Sequence, residues 1–153
     1  MTTEHQNIRG SDGEGQRSEY QMTKPSHERL WIWQRARKLH LKICELCRRM
    51  PRNERFKLVD QAERSSKAVK DNIAEGNESY YYNDKLKGLF TARKEAAETQ
   101  NHIREMEDKQ YIIFSMSQSL IDEYEEIKRG INGLVRSVSF KRDMNNKKRT
   151  QKI

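Results

Sequence analysis

The sequence has 153 residues, of which 33% are hydrophobic and 35% are charged, and its formal net charge is +8. This length fits one helical core, and the low hydrophobic content favours either long polar tails or thin helices that associate. No stretch approaches the roughly 18 consecutive apolar residues of a membrane span, and no signal-peptide pattern begins the chain, so we expect a cytoplasmic protein. The positive charge favours polyanionic partners.

The first segment, residues 1–27, is rich in Gly, Ser, Gln and charged residues and has few apolar side chains to bury. This composition predicts a disordered polar tail. Met22 is a candidate for the true start of the protein, because the residues before it show no structural pattern.

Two helices are predicted next from apolar residues that recur at spacings of three and four. The first stops at Pro51, which cannot continue a helix without losing a hydrogen bond, and the second is predicted to end at Gly76. Their apolar positions are Leu30, Trp33, Ala36, Leu39, Ile43, Leu46 and Met50 in the first, and Phe56, Val59, Ala62, Ser66, Val69 and Ile73 in the second.

Two further helices follow with the same periodicity, and the core is predicted to span residues 28–139. Because the connections are short, neighbouring helices should be antiparallel, which predicts an all-α, up-down-up-down four-helix bundle. The apolar positions are Leu86, Leu89, Ala92, Ala96, Ile103 and Met106, and then Ile113, Met116, Leu120, Tyr124, Ile127, Ile131, Leu134 and Val138.

The corner between the second and third helices carries Gly76 and, shortly after it, Tyr80, Tyr81 and Tyr82. A phosphate-binding loop would need several glycines before a helix, so a simple turn over residues 77–83 is the favoured interpretation. For the tyrosines we expect packing over the corner, with base stacking as the less favoured alternative.

A cationic face is predicted on the first helix, where residues 28–50 hold seven Lys or Arg and two Glu. Arg35, Lys38, Lys42 and Arg49 fall on one side, with Glu45 as the only acid interleaved among them. Such a face can follow a phosphate backbone, or it can be an ordinary solvated surface. The candidate nucleic-acid-binding residues of this helix are Arg35, Arg37, Lys38, Lys42, Arg48 and Arg49.

A basic tail is predicted for residues 140–153, which hold six Lys or Arg and one Asp. We expect this tail to be mobile and to add to nucleic-acid binding. Its candidate binding residues are Lys141, Arg142, Lys147, Lys148 and Arg149.

Two other groups of side chains on the first helix have alternative interpretations. Trp31 is expected at a subunit interface rather than against a base. His40, Cys44 and Cys47 share a face and could ligate zinc, but no fourth ligand is evident and free Cys often packs as a small hydrophobe, so we expect no metal.

No arrangement of residues supports a catalytic site. The carboxylates Glu95, Glu98, Glu105 and Glu107 are interpreted as a solvated helix surface with ordinary pKa values. We therefore expect a protein that is not an enzyme and needs no cofactor.

Several strings along residues 28–139 resemble a known family. They are LWIWQRA from Leu30, then Arg55, Leu58, Gln61 and Arg64 in one pattern, NIAEG ending at Gly76, and INGLVRSV from Ile131. Together they are similar to the bacterial four-helix-bundle family encoded in intervening sequences of large-subunit ribosomal RNA genes, itself related to the accessory variability determinant proteins of diversity-generating retroelements.

The resemblance implies an antiparallel four-helix bundle that forms a ring, typically a pentamer, with a basic surface. In the retroelement relatives this surface binds RNA or DNA and the reverse transcriptase. The resemblance also implies that Asn72 and Glu75 fix the end of the second helix, and that Arg55 and Arg64 make bundle or subunit contacts.

Our leading hypothesis is therefore a homo-oligomeric scaffold that binds RNA or DNA, possible partners being a reverse transcriptase and further copies of the chain, without a membrane. The alternative is a protein-interaction ring that does not touch nucleic acid.

Overall fold

The computed structural model describes residues 24–152, in which four long helices follow one another. They are α1 (Trp31–Arg48), α2 (Leu58–Glu78), α3 (Tyr82–Asp108) and α4 (Phe114–Gln151), and short 3₁₀ helices at Ser26–Arg29 and Arg52–Glu54 precede α1 and α2. No strand occurs within residues 24–152, which confirms the all-α class for this part of the chain. None of these helices is both long and apolar enough to cross a membrane.

The core is built from one face of each helix. In α1 the buried positions run from Ile32 at spacings of three and four, which keeps them on one side. Ile32, which is not in the predicted set, begins this face, whereas the predicted Leu30 and Trp33 are only partly buried. Trp33 packs edge-on against the ring of His27, 5.1 Å away. The largest fully buried side chains include Leu39, Ile43, Ile73, Leu89, Ile103, Tyr124, Ile127 and Ile131.

The closest approach of two helices occurs at Gly76 of α2 and Gly88 of α3. A Cβ atom on Gly88 would lie 2.7 Å from the Cα of Gly76 and 2.9 Å from its nitrogen, so the two backbones touch. The prediction that Gly76 ends the second helix is wrong, because α2 continues to Glu78 and Gly76 is buried inside it. Gly76 is needed for its lack of a side chain and not as a helix terminator.

The segment before α1 is attached to the end of α2. The Ser26 hydroxyl and the His27 backbone N–H donate hydrogen bonds to Glu78 Oε1, at 2.6 and 3.0 Å. These donors, the Ser26 hydroxyl first, lower the pKa of Glu78 to about 2. The predicted tail of residues 1–27 is therefore too long at its C-terminal end, while residues 1–23 lie outside the described part.

The last helix is much longer than the other three. Its 38 residues correspond to roughly 57 Å at a rise of 1.5 Å per residue. The predicted boundary at residue 139 is not a helix end, because α4 continues without a break to Gln151. Residues 134–151 contain neither Gly nor Pro, so nothing in the sequence stops the helix there.

The opposite end of the molecule is closed by a buried carboxylate and a tight turn. Glu54 is buried and accepts hydrogen bonds from Lys109 Nζ at 2.8 Å and from the Tyr111 hydroxyl at 3.0 Å. The Lys109 bond is the main reason that the pKa of Glu54 is lowered. Gln110 has a φ of 63°, and the Tyr111 N–H donates to the Met106 carbonyl, as in a Schellman helix end.

We expect Gly88→Ala to destabilise the protein by about 1–3 kcal/mol, because the added methyl meets backbone atoms that cannot move aside independently. The matched control is Gly133→Ala in α4, where the nearest atom would be the Arg136 guanidinium at 3.8 Å. This control should stabilise by about 0.5–1 kcal/mol, as Ala does in a helix interior. Urea unfolding of both variants measures the difference, and equal effects would contradict a close helix contact.

Candidate nucleic-acid interface

Two of the four cations on the predicted cationic face of α1 pair with acids of α4. Arg35 Nη1 lies 2.6 Å from Glu126 Oε2, and Lys42 Nζ lies 3.5 Å from Glu123 Oε2. Glu45 is the only acid among these cations on α1 itself, but α4 adds two carboxylates from a distant part of the sequence. Arg49 pairs with Glu45 itself, at 3.1 Å. Ion pairs this exposed are worth about 0–1 kcal/mol, so a phosphate can replace the carboxylates.

Three predicted cations of α1 keep their charge unpaired. Arg37, Lys38 and Arg48 are exposed, and none forms an ion pair with any residue of the range 24–152. The Arg37 guanidinium lies over the Trp33 ring, 5.6 Å from its centroid, an arrangement that leaves its outer N–H groups open.

The last turns of α4 carry the densest positive charge. Nearly all side chains from Phe140 to Lys152 are exposed, and Asp143 is the single acid among six Lys and Arg. Asp143 pairs with Arg142 at 3.2 Å, and the other five cations form no ion pair with the described residues. Lys148 and Arg149 also lie in the final turn, where they stabilise the negative end of the helix dipole.

The tyrosine corner lies beside this basic segment. Tyr80 and Tyr81 are 88% and 67% exposed, while Tyr82 packs against the core. The expected packing over the corner therefore applies to Tyr82 alone. A groove of about 450 Å³ lies between the corner and α4, and its lining residues are Tyr80, Tyr81, Tyr82, Asn83, Arg142, Asn145, Asn146 and Arg149.

Sequence reasoning missed this groove because the basic tail was interpreted as mobile. One usable signal was the spacing of Arg142, Asn145, Asn146 and Arg149, which places all four on one helical face if the helix continues. The absence of Gly and Pro after Gly133 was a second signal.

Trp31 lies at the contact between the start of α1 and the middle of α4. Its side chain is half exposed, and its ring packs where a Cβ on Gly130 of α4 would be, at only 2.5 Å from the ring atom Cζ2. The Arg35 guanidinium lies 5.8 Å from the ring centroid. Trp31 therefore helps to dock α1 on α4, and its expected contact with another subunit stays a prediction.

Comparison with known proteins is decisive for the family. The profile of the 23S rRNA-intervening sequence protein family matches residues 28–133. The chain belongs to this family. A solved structure of a protein with unknown function from the S23 ribosomal protein family of Bacteroides thetaiotaomicron shares the fold, with a TM-score of 0.64, 21% identity, and coverage of 69% of this chain and 95% of that one. No curated protein matches the sequence.

Asn72 and Glu75, two of the residues by which the chain resembles this family, have structural roles that differ from expectation. Asn72 lies inside α2 and donates from Nδ2 to the Ala68 carbonyl at 2.8 Å, so it does not fix the helix end. Glu75 contributes through its backbone carbonyl, which accepts from the Ser79 N–H and hydroxyl at 3.0 and 2.7 Å.

The two family arginines are not contacts inside the bundle. Arg64 is exposed and pairs with Asp60 one turn away on the same helix, at 2.7 Å. Arg55 is exposed and lies over the Phe56 ring, 5.4 Å from its centroid. A contact with another subunit is the part of that expectation that stays a prediction.

An apolar groove lies at the opposite end of α4 from the basic segment. Leu46 of α1 and Ile113, Met116 and Leu120 line it, together with charged residues such as Glu123, and its volume is about 470 Å³. Ile113 is 69% exposed and Phe114 beside it is also exposed. Apolar side chains exposed together favour contact with another protein surface.

His40, Cys44 and Cys47 pack at the edge of the hydrophobic core, where Cys47 is buried and the other two are partly buried. His40 Nδ1 lies 2.8 Å from the Ser66 hydroxyl, and Cys44 Sγ lies 3.6 Å from His40 Nε2. Burial, assisted by Glu63, raises the pKa of Cys47 to about 12, which disfavours the thiolate that zinc needs. No set of three or more His, Cys, Asp and Glu within residues 24–152 is arranged to hold a metal ion.

The expectation of an ordinary pKa is wrong for Glu95. Burial, followed by repulsion from Glu98, raises the pKa of Glu95. Glu95 is half-buried on α3, and its backbone carbonyl accepts the Thr99 hydroxyl at 2.9 Å.

We expect the native protein to expose one slowly reactive thiol at pH 8 and the unfolded protein two. Cys44 is partly exposed, whereas Cys47 is buried and its thiol keeps its proton. Titration with an aromatic disulfide reagent, with and without denaturant, measures this. The Cys44→Ser variant should give no native reaction, and equal native and denatured rates in that variant would contradict the burial of Cys47.

Proposed function

We propose that this protein is a non-enzymatic, homo-oligomeric scaffold that binds RNA or DNA. The observation that carries the proposal is the end of α4 with its C-cap, where residues 140–152, nearly all of them exposed, hold six Lys and Arg and one acid. Five of these cations have no ion-pair partner among the described residues, so they are available to phosphates. Arg37, Lys38 and Arg48 of α1 are further exposed cations without an ion pair among the described residues, on a separate part of the surface.

Binding would proceed mainly by neutralisation of phosphates and release of their counterions. Each phosphate contact contributes about 0.9 to the slope of log affinity against log salt for a duplex. Phosphate contacts carry no base identity, so we expect weak sequence selectivity. Arg35, Lys42 and Arg49 would join only when a phosphate replaces the paired carboxylate, which makes α1 secondary to α4.

The proposal includes an antiparallel bundle and its assembly into a ring, and the mass of the protein in solution tests the assembly. Two contacts support antiparallel packing of α2 and α3: Gly76 lies against Gly88, and the Thr99 hydroxyl donates to the Ser65 hydroxyl at 2.8 Å. Residue numbers thus fall along one helix as they rise along the other. The exposed apolar side chains at the start of α4 supply a surface for another subunit.

A pentamer, a reverse-transcriptase partner and a cytoplasmic location stay predictions from the sequence resemblance and composition. The alternative function, a protein-interaction ring without nucleic acid, is favoured by one observation. The α1 cations already have protein carboxylates as partners, so an acidic protein is as suitable for that face as a phosphate chain.

We expect the double variant Lys147→Glu, Lys148→Glu to lose most affinity for labelled RNA and to bind with a salt slope smaller by about 2. The matched control is Lys87→Glu, Lys94→Glu, which makes the same charge change at exposed positions of α3. Fluorescence anisotropy at several salt concentrations measures both. Equal losses would show a response to net charge alone and would contradict a site on α4.

We expect Ile113→Asp to reduce the mass measured by light scattering from that of the oligomer to that of a smaller species. Ile113 is the N-cap of α4, where Asp is a favourable residue, so the substitution removes apolar surface without weakening the helix. Phe140→Asp is the control, because Phe140 is exposed at the other end of α4. An unchanged mass for Ile113→Asp would rule out this end of α4 as the subunit contact.

A further inference from the structure

The groove between the tyrosine corner and α4 combines exposed rings with cations. Tyr80 and Tyr81 meet edge to face, with centroids 5.0 Å apart and planes at 86°. Their large exposure leaves ring faces open to solvent. Two rings held at right angles offer faces in two directions, so they can stack on bases that are themselves not stacked on each other.

The opposite wall is one face of a helix. Arg142, Asn145, Asn146 and Arg149 stand at spacings of three, four and seven residues, so they face the corner together. Along this face the two amides lie side by side, with one guanidinium group a turn before them and the other a turn after them. Amides can both donate to and accept from base edges, and Arg can bind phosphate with two parallel hydrogen bonds.

One arginine is anchored and the other is free. Arg142 Nη1 donates to Asn83 Oδ1 at 3.2 Å, and its Nε donates to Asp143 at 3.2 Å. This fixes α4 against the first turn of α3 and holds Arg142 in place. Arg149 makes no ion pair within residues 24–152, and it lies two turns further along the same face. A strand that enters past Arg149 would meet the tyrosines next to Arg142.

We infer that this groove binds unpaired nucleotides of an RNA or DNA strand, with bases on Tyr80 and Tyr81 and phosphates on Arg149 and Arg142. The inference rests on the proposed function and adds the kind of strand that is bound. Bases inside a duplex already stack on their neighbours and cannot present a face to a tyrosine, so the groove selects single-stranded segments. The family profile ends at residue 133, so the basic wall belongs to the part of the chain beyond the match.

Packing inside the protein does not account for the two tyrosines. Tyr82 serves that purpose at the same corner and is partly buried, whereas Tyr80 and Tyr81 project outward. An interface with an apolar protein surface is less suitable for a groove whose far wall is two arginines and two asparagines. Aromatic rings interleaved with arginine are the usual composition of single-strand binding grooves.

The test compares a labelled RNA strand without self-complementarity, a DNA strand of the same sequence and the corresponding duplex. We expect Tyr80→Ala, Tyr81→Ala to weaken binding of the single strands by about 25- to 10,000-fold, since stacking on one aromatic ring contributes about five- to a hundred-fold per base and two rings are removed. Duplex affinity should be unchanged. Tyr80→Phe, Tyr81→Phe should restore single-strand binding, because the ring faces remain.

The matched control is Phe56→Ala. Phe56 is 86% exposed and lies beside Arg55. The substitution therefore removes an equally exposed aromatic ring next to an arginine, outside the groove. Single-strand affinity of this control should equal that of the wild type. A loss as large as that of the tyrosine variant would overturn the assignment to this groove.

The salt dependence separates stacking from charge. The tyrosine variant should keep the wild-type salt slope, because stacking releases no counterions, whereas Arg142→Gln, Arg149→Gln should lower the slope for single strands by about 1.4. If the wild type binds no nucleic acid at low salt, the proposed function itself fails. If it binds but the tyrosine variant binds single strands equally well, only the groove assignment fails. Different affinities of the RNA and DNA strands for the wild type would identify which sugar the groove prefers.

Discussion

The contact between Gly76 and Gly88 is the constraint on which the position of the tyrosine corner depends. Because the backbones of α2 and α3 touch there, the space between the helices holds no large side chain close to the corner. Only residues 79–81 connect the two helices, so the chain must reverse within a few residues of the contact. Tyr82 finds a place against the core, and Tyr80 and Tyr81 stay outside. A larger residue at either glycine would separate the helices and displace the corner from α4.

The cations on the predicted face of α1 and those at the end of α4 differ mainly in whether a carboxylate of the protein already pairs with them. Arg35 and Lys42 looked like a phosphate-binding row on a helical wheel, yet both have carboxylates of α4 within reach. The cations beyond residue 140 are on the same kind of helix, but α1 and the corresponding acids do not extend there. Five of the six cations at the end of α4 therefore have no ion pair among the described residues, because α4 extends beyond α1 and the acids that face α1. The side chains at the end of α4 are exposed to solvent.

The sequence was sufficient for the features that depend on local periodicity. Four helices and most of their core positions follow from apolar spacing, and Pro51 lies just after the end of α1 as expected. Features that depend on distant residues could not be predicted in this way. Glu123 and Glu126 are some 80 to 90 positions from the cations they face, and Ser26 is 52 positions from Glu78. The helix end at Gly76 was mispredicted because a single sequence does not distinguish a glycine buried inside a helix from one that ends it.

The same limit explains the end of the chain. Low apolar content was a sound reason to expect a mobile tail, but a helix that begins in a packed core can continue outward at little cost in nucleation. The buried side chains of Tyr124, Ile127 and Ile131 hold the first part of α4 in the core. The part beyond residue 139 continues the same helix in the same direction. This rigidity matters for recognition, since a mobile basic tail neutralises phosphates on any strand, whereas cations held at a set distance from two tyrosines favour the strand whose bases can reach those rings. The selectivity for unpaired nucleotides that we propose would thus follow from the length of one helix and from the close helix contact that places the corner beside it.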